Sequence, residues 1–319
     1  MRIAVFGTGG VGGYFGGRLA AAGNDVTFIA RGAHLAAIRR DGLAVESANG
    51  AIRIAPAQAT DDPAAIGPVD LVMLCVKLWD TEDTIAALPP LLGPDTAVVS
   101  FQNGIEAVPT LTARLSGTAA RVLGGVAQIA AAIERPGVIR HTGTLARLIV
   151  GETGGGGDRT EQPRAASIVA AIQAAGIDAL LSPDIGKAIW EKFVFLASFS
   201  GMTALTRLPK GPITAEPATR AMLAAAIGEA CAVAQAHGAA LASDHAERAM
   251  ALVDKLPAEM KSSMLVDLEQ GRRLELPWLS GATVRLGEAA GVATPVHGAI
   301  AAALAPYAQG RPQATAAAR

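Results

Sequence analysis

One short stretch, Gly7-Thr8-Gly9-Gly10-Val11-Gly12, constrains this chain more than any other. It fits G-x-G-x-x-G, a weak pattern in a chain with 36 glycines. Its context makes it specific: it follows a β-rich run, Arg2 to Phe6, and opens a segment of helical character, Gly10 to Ala22, that stops at Gly23. In a strand–turn–helix unit Gly7 permits the tight turn, Gly9 lets backbone approach a pyrophosphate, and Gly12 lets helix and strand pack closely. The helix start offers free N–H groups and positive potential to phosphates. Gly7, Thr8, Gly9, Gly10, Val11 and Gly12 are therefore candidate cofactor-binding residues; the alternative is a glycine-rich turn without a ligand.

Strand and helix signals alternate after that unit. Strands are expected at Asp25–Ala30, Asp70–Val76, Thr96–Ser100, Arg121–Ile133, Thr144–Val150 and Ile177–Leu181, with a turn at Arg135-Pro136-Gly137. Helices are expected at Thr84–Leu92 and Glu161–Ala175, and a loop at Gly154–Gly157. Asp70–Val76 is a continuous apolar run, the signature of a strand buried on both faces. This order implies an α/β, Rossmann-type doubly wound parallel sheet. From Ser182 onward helical periodicity takes over, in segments near 184–206, 217–241, 244–256, 258–270, 277–290 and 295–305, with prolines at the junctions. The expected division is a dinucleotide-binding domain over 1–182, an all-α domain over 183–309 and a disordered tail over 310–319.

Composition narrows the function. The 27 basic and 28 acidic residues nearly cancel, and aromatics are 4%. The chain thus has neither the charge nor the stacking platforms for nucleic acid or an anionic membrane. The longest run without formal charge, Ala289 to Gly310, is mostly alanine broken by prolines, too weakly apolar to span a bilayer. Two cysteines, Cys75 and Cys231, cannot build a disulfide framework or a four-cysteine zinc site, and both read as small core residues. No metal is expected. The start of the chain does not read as a signal peptide, so a cytoplasmic location is expected.

Three places beyond the glycine motif carry chemistry. The second strand ends Phe28-Ile29-Ala30-Arg31, with a base where an NAD site usually carries an acid. A guanidinium there can fork onto a 2′-phosphate, favouring NADP(H), although Arg31 could also be a solvated surface residue. Val76-Lys77 and Gln102-Asn103-Gly104 follow strands at the sheet edge where ligands bind, yet each could be an ordinary surface or turn residue. Lys192 has Ala188, Ile189, Phe195 and Leu196 as its helical neighbours, all apolar. A lysine desolvated there becomes a proton donor near neutral pH; on these residues alone, a side chain snorkelling off an apolar face is the stronger reading. Ser182 and Pro183 are the expected cap and first turn of its helix.

Taken in order, GTGGVGG at the N-terminus, Arg31, VK at 76–77, QNG at 102–104, IWEK at 189–192, SSMLVDLEQGR at 262–272, Glu275 and Leu279-Ser280-Gly281 resemble the ketopantoate reductases (2-dehydropantoate 2-reductases) over nearly the whole chain. The resemblance implies a Rossmann domain, a helical C-terminal domain, NADPH as cofactor and reduction of ketopantoate in an interdomain cleft, a step of pantothenate synthesis. It implies Lys192 as the general acid and Glu275 as the anchor of the substrate hydroxyl. It also implies substrate contacts from Asn103, Ser263 and Lys77, with Lys77 and Asn103 touching the cofactor too. Under it the apolar surroundings of Lys192 become a means of tuning a catalytic lysine.

The family often carries Asn four and eight residues after the lysine, where this chain has Leu196 and Ser200. It commonly has Asp and Asn where Pro277 and Ser280 stand. These departures leave a second reading, a reductase of another, more apolar 2-oxo acid; a third is a non-catalytic dinucleotide sensor. The alanine-rich C-terminal helices serve either a homodimer interface or tight packing within one chain.

Overall fold

The computed structural model describes residues 1–153 and 162–312; the Gly154–Gly157 loop, Glu161 and most of the expected tail lie outside them. The chain divides into two units, Met1–Ile189 and Trp190–Arg319, each compact over its described residues.

The first unit begins β1 (Arg2–Phe6), α1 (Gly10–Ala21), β2 (Asp25–Ile29), α2 (Gly32–Asp41), β3 (Leu43–Glu46), β4 (Ile52–Ile54), β5 (Gln58–Thr60) and β6 (Val69–Leu74). It continues α3 (Thr81–Ala86), β7 (Leu92–Ser100), α4 (Ala107–Arg114), β8 (Arg121–Arg135), β9 (Val138–Glu152), α5 (Pro163–Ala174) and β10 (Asp178–Leu181). The ten strands make one sheet ordered β4-β3-β9-β8-β7-β6-β1-β2-β5, with β10 also on β9. Pairing is parallel except at the β8–β9 hairpin and between β3 and β4.

Each central strand feeds two cores because side chains alternate across it. Ile3, Val5, Leu71, Met73, Ala97 and Val99 enter one, and Ala4, Phe6, Val72, Leu74 and Val98 the other. That is the physical content of the unbroken apolar runs.

Helix α1 packs against β1 and β2 and also against β3, β8 and β9, which lie across β6 and β7 in the strand order. The sheet therefore curls around it. Gly12 through Gly17 are consecutively buried, so α1 has no polar face. Its glycines give the clearance: a Cβ on Gly16 would press within 2.7 Å of Val5, and one on Gly13 within 2.6 Å of Ile139.

Three local expectations are corrected. The helix expected over Thr84–Leu92 runs Thr81–Ala86, because Pro89 and Pro90 end it in a 3-10 turn and β7 already starts at Leu92. The short strands β3, β4 and β5 and the helix α2 were not expected. The next helix, α6 (Ile185–Thr206), is capped by Asp184 rather than Ser182: Asp184 Oδ1 accepts the Lys187 N–H at 3.0 Å, while Ser182 Oγ accepts the Asp184 N–H at 3.2 Å.

Among the described residues the second unit has helices and no strands: the remainder of α6, then α7 (Lys210–Ala215), α8 (Pro217–Ala236), α9 (His245–Lys255), α10 (Ser263–Glu269), α11 (Ser280–Ala290) and α12 (Pro295–Leu304). Helix α8 buries Leu223, Ala226, Ile227, Ala230 and Ala234, an i, i+3, i+4 stripe. Glu229 on the same helix closes the start of α12, accepting the Val296 and His297 N–H groups at 2.8 and 3.0 Å. Among the described residues no helix is long and apolar enough to cross a membrane.

Candidate active site

Strand register levels the ends of the first unit's central strands. Phe6 is paired with Ile29 and with Leu74, and Leu74 with Ser100, so β1, β2, β6 and β7 stop in one row. Beyond that row come the glycine loop, Arg31, Lys77 and Asn103, on one edge of one sheet. This is the carboxyl edge where open α/β sheets hold ligands.

The loop is tightly built. The Ile29 carbonyl accepts the Gly7 and Thr8 N–H groups, each at 3.2 Å, and the Thr8 hydroxyl at 3.0 Å. Gly7 has φ +97°, and a Cβ there would sit 2.7 Å from the Val76 nitrogen. A Cβ on Gly12 would collide with the Gly7 carbonyl, and one on Gly10 with the Ala131 carbonyl. Only Gly9, the N-cap of α1, faces open space: nothing lies within 4 Å of its Cβ position. The first N–H groups of a helix lack intrahelical acceptors. Open ground above Gly9 and free donors at the α1 N-terminus suit a dinucleotide pyrophosphate.

Arg31 stands at the N-cap position of α2 without a side-chain capping bond, its exposed guanidinium 3.8 Å from Asp80 in the turn after Lys77. An exposed pair of this kind is worth little and leaves the guanidinium able to turn to a phosphate. Lys77 is exposed, its ammonium 5.6 Å from the centre of the Trp79 ring. Asn103 is half-buried and precedes Gly104 at φ +81°.

Buried Gln102, a residue with no role expected from sequence, ties these last two loops together. It donates to the Val76 carbonyl at 3.1 Å and to Thr81 Oγ at 2.8 Å, and accepts from Ser100 Oγ at 3.2 Å. Its place beside Asn103 was the only available signal.

In the second unit the structure brings Lys192 and Glu275 together. Burial pulls the Lys192 ammonium from its ordinary 10.5 to about 8, and the Glu275 carboxylate opposes part of that fall. Glu275 is 5% exposed and stands just before a 3-10 turn, Leu276–Trp278. Ser263 is exposed at the first residue of α10; its neighbour Ser262 caps the helix, accepting the Leu265 N–H at 3.1 Å. Both thiols are held neutral: burial pushes Cys75 up to about 12 and Cys231 up to about 11. Neither sits in surroundings that favour a thiolate.

Two family models match, one described as ketopantoate reductase PanE/ApbA over residues 3–155 and one as its C-terminal part over residues 184–308. The chain is 33% identical to an uncharacterized oxidoreductase, YkpB, of Bacillus subtilis, covering 96% of this chain and 99% of the relative. It is 33% identical to a 2-dehydropantoate 2-reductase of Mesorhizobium japonicum, covering 95% and 96%. A crystal structure of a PanE/ApbA family ketopantoate reductase from Ralstonia eutropha superposes with a TM-score of 0.86 at 32% identity, covering 97% of this chain and 98% of that one. On these matches, and on a fold that agrees with them, the chain belongs to the ketopantoate reductase family, oxidoreductases that work with a nicotinamide dinucleotide.

Proposed function

We propose that this protein uses NADPH to reduce the ketone of a 2-oxo acid, with 2-dehydropantoate as the leading substrate and Lys192 as the proton donor. The observation that carries the reading is a lysine whose pKa lies near 8, set against a buried carboxylate. A group poised near the working pH is what general acid catalysis requires. Bound NADPH supplies the hydride. As the carbonyl carbon accepts it, charge grows on oxygen; the Lys192 ammonium stabilises that charge and transfers a proton to it, leaving the alcohol. Glu275 holds the substrate hydroxyl and keeps Lys192 protonated. Asn103 and Lys77 orient cofactor and substrate, and Ser263 donates to the substrate carboxylate. A sensor that only bound the dinucleotide would have no use for a lysine so tuned.

NADPH is preferred over NADH on the strength of Arg31. Losing its charge-assisted contact with a 2′-phosphate costs about 1.5–3 kcal/mol. Arg31→Ala should therefore lower kcat/KM for NADPH roughly tenfold to a hundredfold and leave NADH nearly unaffected. Asp80 stays at the same strand ends in that variant and disfavours the phosphate further. A wild type that prefers NADH, or an unchanged preference in Arg31→Ala, rejects the assignment.

Specific observations also favour the more apolar substrate. Leu196 lies one turn from Lys192 on the same helix face, where it offers a substrate no hydrogen bond. Ser200 and Ser280 are both fully buried, which keeps their hydroxyls from a substrate. An unmet polar group on a buried substrate costs about 1–3 kcal/mol. NADPH consumption across a panel of 2-oxo acids decides: the relaxed-specificity reading expects bulkier acids to rival 2-dehydropantoate in kcat/KM. A wide margin for 2-dehydropantoate removes that reading, and no turnover of any acid removes both.

A further inference from the structure

The glycine loop is held from outside by a side chain for which the reaction has no use. His34, half-buried on α2, places Nε2 2.8 Å from the Thr8 carbonyl oxygen, while its Nδ1 accepts the Gly137 N–H at 3.0 Å. A backbone N–H can only donate, so Nδ1 carries no hydrogen. The imidazole hydrogen is therefore on Nε2 and is donated to Thr8. Burial lowers the His34 pKa below the ordinary 6.5, which keeps this neutral form at pH 7.

Gly137 belongs to the β8–β9 turn, at φ +80°, and a Cβ on it would stand 3.2 Å from Ala37 of α2. The hairpin turn is thus seated on α2. The same hairpin meets the loop again where Ala131 leaves no room for a Cβ on Gly10.

A trans peptide points its C=O and N–H in opposite directions. Fixing the Thr8 carbonyl therefore fixes the aim of the Gly9 N–H, the donor at the one open position of the loop. We propose that His34 is a positioning residue for the dinucleotide, its Nε2–H holding the Thr8 carbonyl so that the Gly9 N–H and the α1 N-terminus meet the pyrophosphate already aligned. The proposal rests on Gly7–Gly12 being the dinucleotide loop.

The test is fluorescence titration of NADPH and NADH into wild type, His34→Ala, His34→Gln and His34→Asn, each well below its own Tm, with kcat at saturating cofactor. His34→Ala should weaken the preferred cofactor about tenfold, the scale of one lost hydrogen bond, and leave kcat near wild type. Glutamine carries an N–H about as far out as Nε2 and should recover most of the affinity. Asparagine reaches only the Gly137 side and should not, whatever it returns in Tm. Wild type binding neither cofactor removes the loop reading and this proposal with it. Wild type binding tightly and His34→Ala binding equally tightly overturns the proposal alone. Affinity that follows Tm across all three variants, with no advantage for glutamine, also overturns it and leaves His34 a purely structural residue.

Discussion

Lys192→Ala should lower kcat by about 10²–10⁴-fold, the range of a lost general acid, while the Kd for NADPH stays near wild type. Lys192→Arg should not rescue it, because a guanidinium keeps its proton at any pH the protein tolerates. The pH profile follows from the sign of the shift. Desolvation disfavours the ammonium and brings its pKa to about 8, so the acid form dominates below that pH and the rate falls above it. Glu275→Gln removes the interaction that raises the pKa, and should move the alkaline limb to lower pH. Near-normal turnover in Lys192→Ala, or a defect mainly in cofactor affinity, would show that the proton comes from elsewhere.

Acidification should destabilise the fold through His297. This residue is fully buried at the start of α12; its Nε2–H donates to the Ala226 carbonyl at 3.0 Å, and Nδ1 has no partner among the described residues. Burial takes its pKa from 6.5 to about 4. Between those values the unfolded chain binds the proton and the folded chain does not, so stability is full above about pH 6.5 and drains away as pH falls to 4. At about 1.4 kcal/mol per unit the loss is on the order of 3 kcal/mol, a large part of a typical folding free energy. The lowered pKa of His34 adds to it in the same direction. Urea unfolding at pH 7 and pH 4.5 measures the difference. His297→Gln retains an N–H donor but cannot titrate, and its acid slope should be shallower. Equal slopes in the two proteins would assign the loss to other groups.

What could be read from the chain follows from how local each signal is. The β1–loop–α1 unit is a contiguous statement in sequence, and the apolar runs of β6 and β7 announce burial on two faces. The strands β3, β4 and β5 are three or four residues long, and β3 finds its partner in β9, far along the chain. Nothing in a window around them encodes that pairing. The change in composition near Ser182 marks where helices begin, but α6 runs without a break through the division of the units at Ile189, so no local residue marks it. The pairing of Lys192 with Glu275 is legible in the chain only through family likeness. His34 gave no signal at all: its two partners lie 26 and 103 residues away, and a histidine on a short helix is unremarked until both are seen.

The curl of the sheet around α1 bears on how a ligand is received. A loop that roots a helix buried continuously from Gly12 to Gly17 has little freedom left to lose, so the ordering entropy that a mobile flap would surrender on binding has already been spent in folding. Association should then resemble docking to a preformed surface, with tightness governed by departure rather than by encounter. The same enclosure ties recognition to foldability. A side chain added to the α1 glycines meets strands on both sides, so changes that would merely retune affinity in an open loop here threaten the survival of the first unit. Room to vary is left to Arg31, Lys77 and Asn103, which stand past the strand ends and outside both cores.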